Sequence, residues 1–115
     1  MKIIEKKLEL LLARPETLVE ETTRNAQIAT QFQPRVEKLI RERQIQEGER
    51  YVRIIAELTA ESHLNVGLFH MLYGDVKIGE EELLKAKADY ERIDSTDIAA
   101  EISEYMKQRG LSKAI

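Results

Sequence analysis

The chain has 115 residues, with 18 Lys and Arg against 21 Asp and Glu, 43% hydrophobic residues, 5% aromatic residues and no cysteine. That length holds one domain with one modest core, and the missing cysteines exclude disulfides, thiolate catalysis and cysteine-ligated zinc together. A net charge of -3 and a pI near 5.5 lack the basic stripe that neutralising a nucleic-acid backbone demands, and no apolar run approaches the length of about 18 residues that a membrane span needs.

Helix formers dominate and apolar residues recur at spacings of three and four, so the chain reads as all-α: a small helical bundle of four to five helices, built of antiparallel helical hairpins, with residues 1–115 as a single domain. Ile4, Leu8, Leu11 and Leu12 line a first short helix. It forms an N-terminal arm over 1–13 that the Arg14-Pro15 junction should end or bend. Glu5, Lys6, Lys7 and Glu9 break up its leucine run, so no secretory segment is expected and the cytoplasm is the expected location. Thr17 with Glu20 three residues on reads as a capping box that starts the next helix. From Leu18 a seam runs through Thr22, Ala26, Ala29, Phe32, Val36, Leu39 and Ile40. Pro34 within it predicts either a kink or a new helix with the proline in its first turn.

Residues 41–50, RERQIQEGER, have Ile45 as their single apolar residue. They are predicted to be a loop or an exposed helical segment, and Gly48 favours a reversal there. The apolar pattern resumes at Tyr51, Val52, Ile54, Ile55 and Leu58, then thickens over residues 64–73 until it covers nearly every face. A helix apolar all round is buried all round, so this stretch should be the centre of the core or of a subunit interface. Gly74-Asp75 is a turn signal, and Glu80, Glu81 and Glu82 after Gly79 predict an acidic first helical turn. Leu83, Ala86, Tyr90 and Ile93 form the following stripe; Asp94-Ser95-Thr96-Asp97 caps a last helix carrying Ile98, Ile102, Tyr105 and Met106. Lys107, Arg109 and Gly110 supply its C-terminal cations and left-handed glycine, and 111–115 is expected to be a frayed tail.

Within residues 60–93, Gly67, the pair Gly74-Asp75 and Ala86 sit at offsets where two antiparallel helices approach closely across a short turn. This segment resembles one tetratricopeptide-type helical hairpin, with His63 where that motif has an aromatic residue and Gly79 where it has alanine. The resemblance implies a helix-turn-helix pair and a peptide- or protein-binding role.

Chemical motifs give little. No glycine-rich phosphate loop or nucleophile elbow is present in the sequence. His63 and His70 are seven residues apart, about 10 Å along a helix, too far to share one ion, so a metal site there would need carboxylates from other segments. The basic set Arg35, Lys38, Arg41, Arg43 and Arg50 is interleaved with Glu37, Glu42, Glu47 and Glu49, which reads as a solvated face ahead of a phosphate-binding one. The functional expectation is therefore a non-enzymatic protein-protein interaction or regulatory module, homodimeric and without a cofactor. Its interface candidates are Ile4, Leu8, Leu11, Leu12, Tyr51, Ile55, Leu58, Phe69 and Leu72, because these apolar residues exceed what short helices can hide within one chain. The alternative is a nucleic-acid-associated regulator using the five basic residues, and a third reading is a metal site around His63 and His70.

Overall fold

The computed structural model describes residues 2–110, and the expected frayed tail lies outside them. Five helices follow in order: α1 (Lys2–Ala13), α2 (Pro15–Arg41), α3 (Ile45–Tyr73), α4 (Val76–Arg92) and α5 (Thr96–Gln108), with no strand among the described residues. The all-α bundle of helical hairpins read from the sequence is the fold observed. No helix of the described residues is long and apolar enough to cross a membrane.

The continuous core joins Ile4 and Leu11 of α1, Leu18 of α2, Ala60, Leu64, Leu68 and Met71 of α3, Leu83, Ala86 and Tyr90 of α4, and Ala99, Ile102, Tyr105 and Met106 of α5. Helices α3 and α4 meet at two glycines. A Cβ on Gly67 would lie 2.8 Å from the Leu83 side chain, and one on Gly79 would lie 3.0 Å from the Gly67 carbonyl oxygen. Hydrogen at these positions is what lets the two backbones close up. Helix α5 returns along the pair, its Arg109 guanidinium donating to the Met71 carbonyl at 3.3 Å. The Glu101 carboxylate accepts the Ile3 N–H at 3.0 Å and the Ile4 N–H at 3.4 Å, so α5 caps the positive end of α1.

At about 1.5 Å per residue, α2 and α3 are each roughly 40 Å long, whereas α4 has 17 residues. Helix α4 runs back along α3 until the Arg53 guanidinium donates to the Ile93 carbonyl at 2.9 Å. Beyond that point the end of α2 and the start of α3 continue as a two-helix arm, which gives the molecule its 48 Å long axis. Val36 and Leu39 are buried in the arm but stand apart from the main core.

Several boundaries differ from those expected. Helix α2 begins at Pro15, with Arg14 at the N-cap and no side-chain cap bond, so Thr17 and Glu20 form no capping box. Proline in the first turn, where its missing N–H is not needed, replaces the cap. The helix then runs unbroken through Pro34, because the ring lies on the exposed face and the Thr30 residue whose carbonyl loses its partner is exposed too. The reversal falls at Glu42–Gln44, not at Gly48, which is buried in the first turn of α3. Asp75 caps α4 through Lys77 N–H at 2.9 Å and Ile78 N–H at 3.4 Å, so Glu80, Glu81 and Glu82 belong to its second turn, with no acidic residue in the first. Ser95 stands at the N-cap of α5 without a side-chain bond, while Gly110 takes the positive φ of +73° expected of it.

Candidate functional site

Lys7 lies between Ile4 and Leu11 on the buried face of α1. Its ammonium donates to Glu21 Oε1 at 2.7 Å and reaches Glu61 Oε2 at 3.5 Å. The amide of Asn25 donates to Glu61 Oε1 at 2.8 Å, and that of Asn65 donates to Glu21 Oε1 at 3.0 Å and Thr22 Oγ1 at 3.1 Å. The pattern is the same on both long helices: Glu21 and Asn25 on α2, Glu61 and Asn65 on α3, four residues apart and cross-paired because the helices are antiparallel. A register slip of one turn would break both Asn–Glu pairs, setting Asn25 against Asn65 or Glu21 against Glu61, so the tetrad favours this pairing of α2 and α3. Burial pushes the Glu21 carboxyl up, but hydrogen bonds from Lys7 and Asn65 and the Lys7 charge outweigh it and hold the group below its ordinary value. Burial, followed by the negative charges of Glu61 and Glu21, pushes the Tyr90 phenol strongly upward. Sequence reading missed this cluster. Its signal was a lysine at a core register position and the repeated Glu-x-x-x-Asn spacing.

The two histidines do not converge. His63 Nδ1 lies 2.6 Å from Glu82 Oε2, while Nε2 on the far side of the ring lies 3.8 Å from Asp89 Oδ2. The imidazole therefore separates the carboxylates. Burial raises the Glu82 carboxyl, yet its hydrogen bonds with His63 and Lys85 prevail and lower it. His70 sits at the end of α3 and accepts the Asp75 N–H on Nδ1 at 3.2 Å. Among the described residues no group of three His, Asp or Glu side chains is arranged to hold an ion.

The basic candidates gather on the arm, all exposed. Arg35 stacks over the Tyr51 ring at 5.3 Å, and Lys38 lies 4.0 Å from Glu42. The apolar candidates divide. Ile4 and Leu11 are wholly enclosed in the monomer core, so they offer nothing to a partner. Leu8 and Leu72 are half-buried and pack against that core. Tyr51 meets Phe32 edge-on at 5.1 Å between the arm helices. Leu12 is 70% exposed at the end of α1. Ile55, Leu58 and Phe69 are half-buried along α3.

Phe69 opens onto a feature that sequence reading did not single out. Along the outer side of the α2–α3 pair runs a shallow furrow. Its more enclosed part, a depression of about 250 Å³, is walled by Val19, Thr22 and Thr23 of α2 and Val66, Phe69 and His70 of α3; farther along it passes Ala29, Thr30, Gln33, Glu37 and Ile55. Residues 25–34, NAQIATQFQP, carry no charge, although the chain is 34% charged and six of these ten residues are exposed. An uncharged stretch of this length with most of its residues exposed stands out in so polar a chain. No protein-family model, curated protein or solved structure matches the chain, so its functional reading comes from these residues alone.

Proposed function

We propose that the chain is a non-enzymatic protein-protein interaction module that works as a homodimer, its contacts made by the long α2–α3 hairpin. The support is the distribution of exposed apolar side chains. Val19, Ile40, Ile45, Val52 and Ile54 are exposed on α2 and α3, and the arm that carries most of them buries Val36 and Leu39 apart from the core. A two-helix arm with so little of its own to hide gains stability from a partner. The hairpin of α3 and α4 that resembles a tetratricopeptide unit points to the same class of role. Light scattering coupled to size-exclusion chromatography tests the dimer: a mass of twice 13.3 kDa is expected, falling to the monomer on dilution, and the monomer mass at every concentration would remove it.

A second reading is favoured by the exposed basic residues on the arm. Arg41, Arg43 and Arg50 have no carboxylate within ion-pair distance among the described residues, and with Arg35 and Lys38 they would contact phosphates. It predicts binding to DNA or RNA that weakens steeply between low and physiological salt. Retention of a labelled duplex or single strand by the wild type at low salt, lost in Arg41→Ala/Arg43→Ala, would favour it over the first.

A further inference from the structure

We infer that the partner of the α2–α3 furrow is a second copy of the same chain, docked antiparallel across a two-fold axis at Thr30, a step that presupposes the homodimeric role proposed above. The register is written in α2. Val19, Thr23, Ala26, Thr30, Gln33, Glu37 and Ile40 follow one another at alternating steps of four and three, and all are exposed. That is the seven-residue repeat of a helix seam prepared for another helix. Its centre is small, which permits close approach, and its two ends are the large apolar residues Val19, 55% exposed, and Ile40, 50% exposed.

Three independent features agree with an isologous pairing. The first is steric: antiparallel docking about Thr30 brings Ile40 of one copy to Val19 of the other, where the depression between Val66, Phe69 and Thr23 is open to receive a branched side chain. The second is electrostatic. The first half of α2 holds Glu16, Glu20, Glu21 and Arg24, the second half Arg35, Glu37, Lys38 and Arg41, and the stretch between them is uncharged. A helix that is net acidic at one end and net basic at the other complements itself only when reversed, and the reversal sets Glu20 beside Arg41 of the other copy and Thr23 beside its Glu37. The third is area: a seam from residue 19 to 40 is about 33 Å long and, two helix widths across, about 20 Å wide, so roughly 650 Å² is covered per copy and 1,300 Å² in all, within the range of stable interfaces.

The cysteine-free chain makes the test direct. Thr30→Cys, at the axis, should cross-link to a covalent dimer under mild oxidation at a rate at least tenfold above Glu104→Cys, an exposed position on α5. Ile40→Asp should weaken self-association about 100-fold, because it carries a charge into an apolar depression. Glu20→Arg and Arg41→Glu should each weaken it about tenfold and together restore it; both residues are exposed, so this exchange stays informative even if Ile40→Asp impairs folding. A dimeric wild type in which Thr30→Cys does not cross-link and the charge exchange does not rescue overturns the α2 seam while leaving the dimer standing. A wild type monomeric throughout overturns both.

Discussion

The two ends of the α2–α3 hairpin are built from similar residues and hold together differently. At the end bearing α1, α4 and α5, the side chains of Leu18, Leu64 and Leu68 are enclosed by neighbours from the other helices, and the Lys7–Glu21–Glu61 cluster ties three helices at one level. At the arm end two helices face only each other, with Val36 and Leu39 buried and Phe32 edge-on to Tyr51. Two helices bury only the residues on their shared face, so Ile40, Ile45 and Val52 of the arm remain exposed. The difference predicts that the arm opens locally before the core does.

The largest test of this contrast is matched truncation. Leu68→Ala removes a wholly buried side chain from the core and should cost about 3 to 4 kcal/mol of global stability in chemical denaturation. Leu39→Ala removes the same atoms from the arm, where the site can collapse and water is near, and should cost under about 2 kcal/mol. Hydrogen exchange separates the two: the arm variant should speed exchange over residues 32–52 and leave α4 and α5 protected. Equal acceleration across all five helices in both variants would show that arm and core unfold as one.

Glycine gives the same contrast with opposite signs. Gly67→Ala places a Cβ 2.8 Å from the Leu83 side chain and 3.1 Å from its backbone nitrogen, which forces α3 and α4 apart at a cost of about 2 kcal/mol. Gly48→Ala in the first turn of α3 meets Ile40 Cγ1 at 3.5 Å and Leu39 Cβ at 3.7 Å, which is ordinary contact, so the gain in helix propensity should stabilise by about 0.5 to 1 kcal/mol. Thermal melts of the two variants should move in opposite directions.

That pair also shows where the sequence was readable. The five apolar stripes and the Pro15 and Gly74-Asp75 breaks follow from local pattern, but α3 starts six residues before the stripe resumes at Tyr51. The 64–73 stretch, expected to be buried on every face, leaves Tyr73 exposed and Val66, Phe69, His70 and Leu72 half-buried, because neighbouring helices cover only part of its circumference. Gly48 misled because glycine marks a turn only when nothing else explains it; here it is a close-packing residue, and the turn is made by Arg43, which takes a φ of +59°. Pro34 misled because the Thr30 carbonyl that loses its partner is exposed to water, and the seam on both sides of the proline favours continuity despite the cost of an interior proline. The cross-paired Glu21, Asn25, Glu61 and Asn65 escaped notice because their partners are 36 to 44 residues away, and spacing along one helix carries no information about which other helix it meets. The pattern alone puts Ile4 and Leu11 at an interface for a related reason: an apolar stripe announces burial without saying whether the cover comes from the same chain, and here it does.

The polar cluster gives a smaller effect with a defined pH dependence. The Glu21 carboxyl is held below its ordinary value in the folded protein, so its contribution is fully present above the unfolded value near 4.5 and is lost as pH falls through the lower folded value. Lys7→Met leaves Glu21 and Glu61 facing each other and should cost about 2 kcal/mol at pH 7. In the variant the sign reverses: protonating a carboxylate relieves repulsion, so its deficit against wild type should shrink between pH 6 and 3.5 as read by urea midpoints. A deficit independent of pH would mean that the lysine acts through its methylene packing alone.

The smallest effect concerns the turn at the arm's tip. Helices α2 and α4 end alike: the Gln44 N–H donates to the Leu39 carbonyl at 2.9 Å and the Arg43 N–H to the Ile40 carbonyl at 3.0 Å, while Ser95 and Asp94 bond to Tyr90 and Glu91 at 2.9 and 3.2 Å. Both are closures that need a left-handed residue just past the helix, taken by Arg43 and by Asp94, whose φ is +61°. Arginine bears the full Cβ strain there, whereas an aspartate tolerates it better. Arg43→Gly should therefore stabilise the protein by about 0.5 to 1 kcal/mol and Asp94→Gly by less. Because Arg43 closes the arm and Asp94 closes the core, hydrogen exchange should slow in residues 36–50 for the first variant and around residues 88–99 for the second. Slowing spread evenly over the chain in both would mean that the tip is coupled to the core, and the picture of a loosely held arm would have to be given up.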